Sequence, residues 1–262
     1  MNHNLPIMRV ENLSAEYEKQ VVLSNISFSL NRGEILCIVG ESGSGKSTVL
    51  KSILGDPEVK ITEGKIYLEN NQLVSLPKKK RRKISAENIG IIFQNPGASF
   101  NPIRSFKSQF IEAMKSHGLY DSKTFLNDVD RIFKSLELDD SESLLKSCPY
   151  EMSGGMNQRI SIALAMLLGQ KILLADEPTS ALDAVAQLQT ARELKMLRNE
   201  KNISQIIVTH NLGLARFLAD KIAVIQNGRI IEYGPADQIF YEPQSEYTKM
   251  LAAAVPRIGD SI

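Results

Sequence analysis

Gly40-Glu41-Ser42-Gly43-Ser44-Gly45-Lys46-Ser47 follows the apolar run Ile35–Val39 and opens a helix-forming stretch, Lys46–Leu54, that stops at Gly55-Asp56-Pro57. The octet has the form G-x-x-x-x-G-K-[ST], a pattern that ordinary glycine usage produces by chance in about one chain in a hundred of this size. A strand that breaks at glycines and restarts as a helix aims the loop's backbone N–H groups and the positive helix end at one point. That point suits a phosphate. Lys46 supplies a point charge for β- and γ-phosphates, and Ser47 a hydroxyl for Mg²⁺, whose small octahedral shell prefers hydroxyl, carboxylate, water and phosphate oxygens.

A second pair of charges supplies what hydrolysis would need. Ile172-Leu173-Leu174-Ala175 ends in Asp176-Glu177, which puts two carboxylates at the carboxyl end of a buried strand, where open α/β sheets bind ligands. Asp176 would hold Mg²⁺ through coordinated water, and Glu177 would orient or deprotonate the attacking water. Alone, an Asp-Glu before Pro178 reads as a helix N-terminus. Coupled to the phosphate loop, it reads as catalytic.

Around these motifs, apolar runs of strand length (Ile35–Val39, Ile89–Phe93, Lys171–Asp176, Gln205–Thr209 and Ile222–Gln226) recur between helical patterns. That alternation predicts a largely parallel α/β sheet. Phe125, Val129, Ile132, Phe133 and Leu136 fall at helical spacing, and no strand-like run interrupts Ser105–Gly169, so this region reads as a helical insertion. Asp183–Lys201 places Val185, Leu188, Leu194 and Leu197 along one face of a crossover helix. Met8–Val10, Val21–Leu30 and Gly64–Leu68 predict a small antiparallel layer, and Asn227-Gly228 predicts a tight hairpin before Arg229–Tyr233.

Composition excludes several classes. The 262 residues carry 31 Lys+Arg against 30 Asp+Glu, a net charge of +1, which does not suit a nucleic-acid wrapper or an acidic tail protein. With 43% hydrophobic residues the chain has the material for a core, and its length suits one large domain or one with a sub-domain. The uncharged stretch Asn88–Ile103 is broken by Gln94, Asn95, Pro96 and Pro102, so no run approaches the roughly 20 apolar residues of a membrane span. MNHNLPIMRVENL offers no basic region followed by an apolar segment, which predicts a chain that stays in the cytoplasm. Cys37 and Cys148 form no CxxC or Cys/His cluster, so neither a disulfide framework nor a zinc site is expected. His3 and His117 have no partners at ligand spacing and read as solvated. Pro77-Lys78-Lys79-Lys80-Arg81-Arg82-Lys83 reads as a solvated loop, with attraction to anionic lipid headgroups as a side effect.

Further features stand in a fixed order along the chain: Gln94 after Ile89–Phe93, Ser153-Gly154-Gly155 at the mouth of an apolar helix, Ser180-Ala181-Leu182-Asp183 after Glu177, and His210 after Gln205–Thr209. In that order they resemble the ABC transporter ATPase family, over about Val10 to Pro256. The resemblance implies a P-loop NTPase (RecA-like) α/β core with an antiparallel β layer and a helical insertion, as one ABC ATPase domain across 1–262. It assigns 5–99 and 165–235 to β layer and core, 100–164 to a helical sub-domain carrying the signature, and 236–262 to a C-terminal extension. ATP and Mg²⁺ are the implied ligands. Gly40 to Ser47 and Thr48 would bind the phosphates, Tyr17 would stack on adenine, Gln94 would touch the metal and the membrane partner, Ser180–Asp183 would form the D-loop with Asp183 near the nucleotide, and His210 would contact the γ-phosphate. Ser47, Gln94 and Asp176 make up the implied metal set, with Lys46, Glu177 and His210 catalytic.

Ser153-Gly154-Gly155 leaves backbone amides and a hydroxyl at a helix N-terminus, a second anion site in one chain. In the family such halves meet across a head-to-tail dimer. The commonest family signature is LSGGQ, whereas this chain has Met152-Ser153-Gly154-Gly155-Met156. SGGM, with Pro149-Tyr150-Glu151-Met152, Gln94 to Pro102, and Gly234 to Phe240 through Tyr247-Thr248 to Pro256, is similar to one ATPase subunit of dipeptide, oligopeptide and nickel importers. The absence of cysteine after Cys148 implies no iron-sulfur tail and leans toward nickel- or metal-chelate-type subunits. The implied partners are a paralogous second ATPase subunit, two membrane permease subunits and, indirectly, an extracytoplasmic solute-binding protein, with the chain peripheral on the cytoplasmic face of the inner membrane and no nucleic acid bound. The alternatives are an ABC-type subunit of a soluble complex such as carbon-phosphorus lyase, or an exporter ATPase.

Overall fold

The computed structural model describes residues 5–94, 96–180 and 182–255, so His3, Asn95, Ala181 and Pro256 lie outside the described residues. The chain divides into two compact units, Met1–Ser85 with Ser204–Ile262, and Ala86–Ile203.

The first unit holds an antiparallel sheet in the order β2-β1-β4-β5, built from β1 (Met8–Tyr17), β2 (Gln20–Leu30), β4 (Val59–Leu68) and β5 (Asn71–Gln72). Both β1 and β4 run well beyond the segments expected. The alternation in β1 is interrupted where Asn12 adopts φ 49° and the register shifts, which hides the strand's continuity from a period-two reading. Beside this sheet, β3 (Ile35–Val39) lies parallel to β8 (Ser204–Thr209) and β9 (Lys221–Gln226), and β10 (Arg229–Pro235) turns back on β9 through Asn227-Gly228. All five residues of β3 are buried, as expected for a strand covered on both faces. Helices α1 (Lys46–Leu54), α8 (Leu212–Leu218), α9 (Ala236–Tyr241) and α10 (Glu246–Ala253) also belong to this unit.

The basic run corrects the expectation of a loop. Lys78–Asn88 forms helix α2, which buries Ser85 and bears no apolar stripe that could have announced it. Arg81 anchors it instead, donating to Ser52 O at 2.6 Å at the carboxyl end of α1, where a cation meets the negative helix pole.

In the second unit β6 (Ile89–Ile92) and β7 (Ile172–Asp176) pair in parallel. The insertion is helical, as expected: α3 (Phe106–Ser116), α4 (Phe125–Ser135), α5 (Ser141–Lys146) and α6 (Gly154–Leu167), followed after β7 by α7 (Ala184–Lys201). Its core is aromatic. Phe100 meets Phe106 edge-on at 5.1 Å and Phe110 meets Phe133 edge-on at 6.0 Å. The expected α4 face, Phe125, Val129, Ile132 and Phe133, with Leu136 just beyond the helix, is buried throughout.

Two further expectations need correction. On α7, Leu194 and Leu197 are buried but Val185 and Leu188 are exposed, so the buried stripe runs through Ala191 and the amino-terminal turns are left bare. His117 is not simply solvated: its ring nitrogens lie 2.9 Å from Ala113 O and 3.0 Å from Ala86 O, closing the end of α3. Cys37 is buried and Cys148 half-buried, both as free thiols, and burial pushes the Cys37 thiol up.

Candidate functional site

The phosphate loop leaves β3 at Gly40, where an added Cβ would collide with the carbonyl oxygen of Ile225. It enters α1 at Gly45, which caps the helix with φ 103°, a conformation that side-chain-bearing residues avoid. Between them the loop folds back on itself. The Lys46 ammonium, on a residue only 4% exposed, donates to Gly40 O and Glu41 O at 2.8 Å each. The Ser44 hydroxyl is buried without a hydrogen-bond partner, while Ser44 O accepts the Gly228 N–H from the β9–β10 turn. On the far side, Glu41 N–H donates to the Tyr247 hydroxyl oxygen at 2.9 Å. A buried ammonium and a partnerless buried hydroxyl within a ring of backbone fit an anion better than they fit each other.

Ser42 and Gly43 are exposed at the loop's tip, and Ser47 and Thr48 are half-buried on the first turn of α1. Tyr17 ends β1 beside α1: its hydroxyl donates to Glu58 Oε2 at 3.3 Å, and Lys51 Nζ lies 5.5 Å from the ring centroid. The Glu58 charge raises the phenol pKa, Lys51 opposing it. In the same unit His210 is exposed just after β8, before Asn211 caps α8 by accepting Leu214 N–H at 3.0 Å.

The second unit carries the remaining expected residues. Asp176 closes β7, and Glu177, half-buried, adopts φ 43°, a left-handed backbone that costs roughly 1–3 kcal/mol in a residue with a Cβ. Both the N–H and the hydroxyl of Ser180 donate to Glu177 O at 3.1 Å, which holds that conformation. Asp183 caps α7, accepting Val185 N–H and Ala186 N–H at 3.0 and 2.9 Å. Gln94 is exposed just beyond β6.

Ser153 caps α6, its hydroxyl accepting Met156 N–H at 3.3 Å. A Cβ added at Gly154 or Gly155 would meet nothing within 4 Å, so the chain's own packing does not demand glycine there. Beneath this open segment stand residues the sequence reading missed. Asn157, buried, donates from Nδ2 to Pro149 O at 3.0 Å and to Met152 O and Ser153 O at 3.3 Å, tying the segment to α6. Arg159 on α6 approaches the deeply buried Glu193 of α7 at 2.9 Å, as an ion pair not aligned as a hydrogen bond. Burial raises the Glu193 carboxyl to about 7, with Arg159 opposing. No local motif could have revealed the Arg159–Glu193 contact, which joins separate helices.

Among the described residues no cluster of three or more His, Cys, Asp or Glu gathers for a metal. The candidate donors Ser47, Gln94 and Asp176 are hard oxygens, and their small number fits Mg²⁺, which takes most of its shell from water and phosphate.

The family model described as ABC transporter matches residues 23–180. The oligopeptide transport ATP-binding protein OppD of Haemophilus influenzae is 38% identical over 97% of this chain and 80% of its own length. The metal-staphylopine import system ATP-binding protein CntD of Staphylococcus aureus is 34% identical over 92% of this chain and 89% of its own. Among solved structures, the ATP-binding cassette MJ0796, a dimer bound to ADP and Pi in a post-hydrolysis state, superposes with a TM-score of 0.75 at 28% identity, over 87% of this chain and 98% of that one.

Proposed function

The chain belongs to the ABC transporter family, and from that premise we propose that it is the subunit whose ATP hydrolysis drives uptake of a peptide, nickel or a metal chelate through separate permease subunits. ATP hydrolysis coupled to transport belongs to the family itself. The solute class is supported by relatives named for oligopeptide and metal-staphylopine transport. No helix among the described residues is long and apolar enough to cross a membrane, so the transport path falls to permease subunits. On this reading the chain sits peripherally at the cytoplasmic face of the membrane, beside a paralogous second ATPase subunit, and a solute-binding protein delivers cargo outside.

The observation that carries the reading is the phosphate loop: a buried Lys46 held among backbone carbonyls, with a partnerless Ser44 hydroxyl beside it. The loop amides, Lys46 and Thr48 hold the ATP phosphates, and Tyr17 offers its ring to adenine, for which stacking contributes roughly 1–3 kcal/mol. Mg²⁺ when bound neutralises charge on the β- and γ-phosphate oxygens. Ser47, Asp176 and Gln94 would hold it there. Glu177 takes or orients the proton of the attacking water, and His210 donates to the γ-phosphate. Ser153, Gly154, Gly155 and Asp183 complete the nucleotide site of the opposing subunit, and the helical segment 100–164 faces the permease.

Two measurements test this. Glu177→Gln should cut turnover by at least about 10²-fold while ATP-dependent dimerisation persists; retained turnover removes Glu177 from the mechanism. Extraction of the chain from membranes in mild detergent should bring integral membrane partners with it, and recovery of soluble enzymes alone would replace transport with an assembly role.

A further inference from the structure

The Gly40–Glu41 peptide is gripped on both sides: its carbonyl, Gly40 O, accepts from Lys46 Nζ at 2.8 Å, and its N–H, on Glu41, donates to the Tyr247 hydroxyl oxygen at 2.9 Å, across 206 positions of sequence. Tyr247 is only 8% exposed. The helix that carries it is pinned: Ser245 caps α10 by accepting Thr248 N–H at 3.0 Å, and the Glu232 carboxylate on β10 accepts Gln244 N–H at 2.7 Å and Ser245 N–H at 3.1 Å. The phenol is therefore presented to the loop by a fixed support. Lys46 has three N–H donors, two of them spent on Gly40 O and Glu41 O, so reaching both a β- and a γ-phosphate oxygen leaves at most one for the loop's carbonyls and loosens that side of the grip.

We propose that Tyr247 is a positioning residue for the nucleotide site: its hydroxyl keeps the Gly40–Glu41 peptide in place as Lys46 shifts donors from the loop's carbonyls to a bound phosphate. This rests on the reading of Gly40–Ser47 as the nucleotide loop. It separates two states. Without nucleotide, Lys46 still ties the Gly40–Glu41 peptide through Gly40 O, and loss of the phenol hydroxyl changes little; with nucleotide, that hydroxyl is the tie on this peptide that does not loosen.

The test is Tyr247→Phe in the full chain, which keeps the ring volume, titrated with ATP and Mg²⁺. We expect the nucleotide-free melting temperature to match wild type, the Kd for ATP to rise about 3- to 10-fold, and the melting shift produced by saturating ATP to shrink. Should Tyr247→Phe fold poorly, Glu232→Ala loosens α10 without touching the hydroxyl and should raise Kd in the same direction. Unchanged Kd and ATP-induced shift would overturn the proposal, as would destabilisation of the nucleotide-free chain as large as the affinity loss, which marks an ordinary packing role. If the wild-type chain itself fails to bind ATP, the nucleotide reading falls, and this proposal with it.

Discussion

The phosphate loop Gly40–Ser47 and the segment Ser153–Gly155 are both stretches of serine and glycine at the mouth of a helix, and their surroundings differ in kind. Around the loop, Ile225 O leaves no room for a Cβ at Gly40, Gly228 and Tyr247 grip the backbone, and Lys46 is buried. Around the segment, Gly154 and Gly155 look into open space and Ser153 is exposed. A glycine that the chain's own packing requires explains itself. Gly154 and Gly155 have neither a packing neighbour nor a left-handed backbone to account for them, and the nucleotide of the proposed second subunit would.

Substitutions can break this contrast. Gly40→Ala has the largest expected effect on folding: with a backbone oxygen in the way, it should destabilise the first unit by about 3 kcal/mol, seen as a lowered denaturation midpoint. A wild-type midpoint would mean the loop is looser than its packing implies. Gly155→Ala should do the reverse, leaving the midpoint unchanged or slightly raised, since alanine favours a helix, while ATPase activity falls about 10²-fold as donors at the helix mouth are obstructed. Full activity would show that nothing approaches that surface closely.

A third test probes what backs the open segment. Glu193 joins α7 to α6 and faces Arg159, Gln189 and the Glu137 carboxylate. Its carboxyl is raised from 4.5 to about 7. The folded state therefore holds a proton the unfolded chain has released, so stability is full below about pH 4.5 and is lost as pH rises through about 7. Denaturation at pH 5.5 and 8.5 should show a loss of about 2 kcal/mol that Glu193→Gln removes; the same pH slope in the variant would place the titration elsewhere. The smallest effect belongs to Arg81→Gln, which strips a cation from the end of α1 and should cost about 1 kcal/mol without changing the loop's sequence. A denaturation midpoint equal to wild type would remove that anchor.

Legibility in the sequence followed the range of the forces involved. The strand Ile35–Val39, the loop and α1 are written in consecutive residues, as is the buried face of α4. The register-shifted β1, the helix Lys78–Asn88 and the exposed Val185 and Leu188 were not legible. In the first, a left-handed Asn12 breaks the alternation; in the second, one arginine reaching another helix substitutes for a stripe; in the third, apolar residues at helical spacing stay bare. At the site the motif residues stood out, but Tyr247, Asn157 and Glu193 act through contacts with distant elements or through burial, and the left-handed backbone of Glu177 leaves no mark in its neighbours.

The grip of Gly228 and Tyr247 on residues 41–44 has a consequence for biosynthesis. The loop is translated early, but Gly228 and Tyr247 come much later, Tyr247 some 206 positions after Glu41, which at 5–20 residues per second is roughly 10 to 40 seconds. A nascent chain thus emerges with this loop held only by its own local contacts, and the ties from the β9–β10 turn and α10 reach it later.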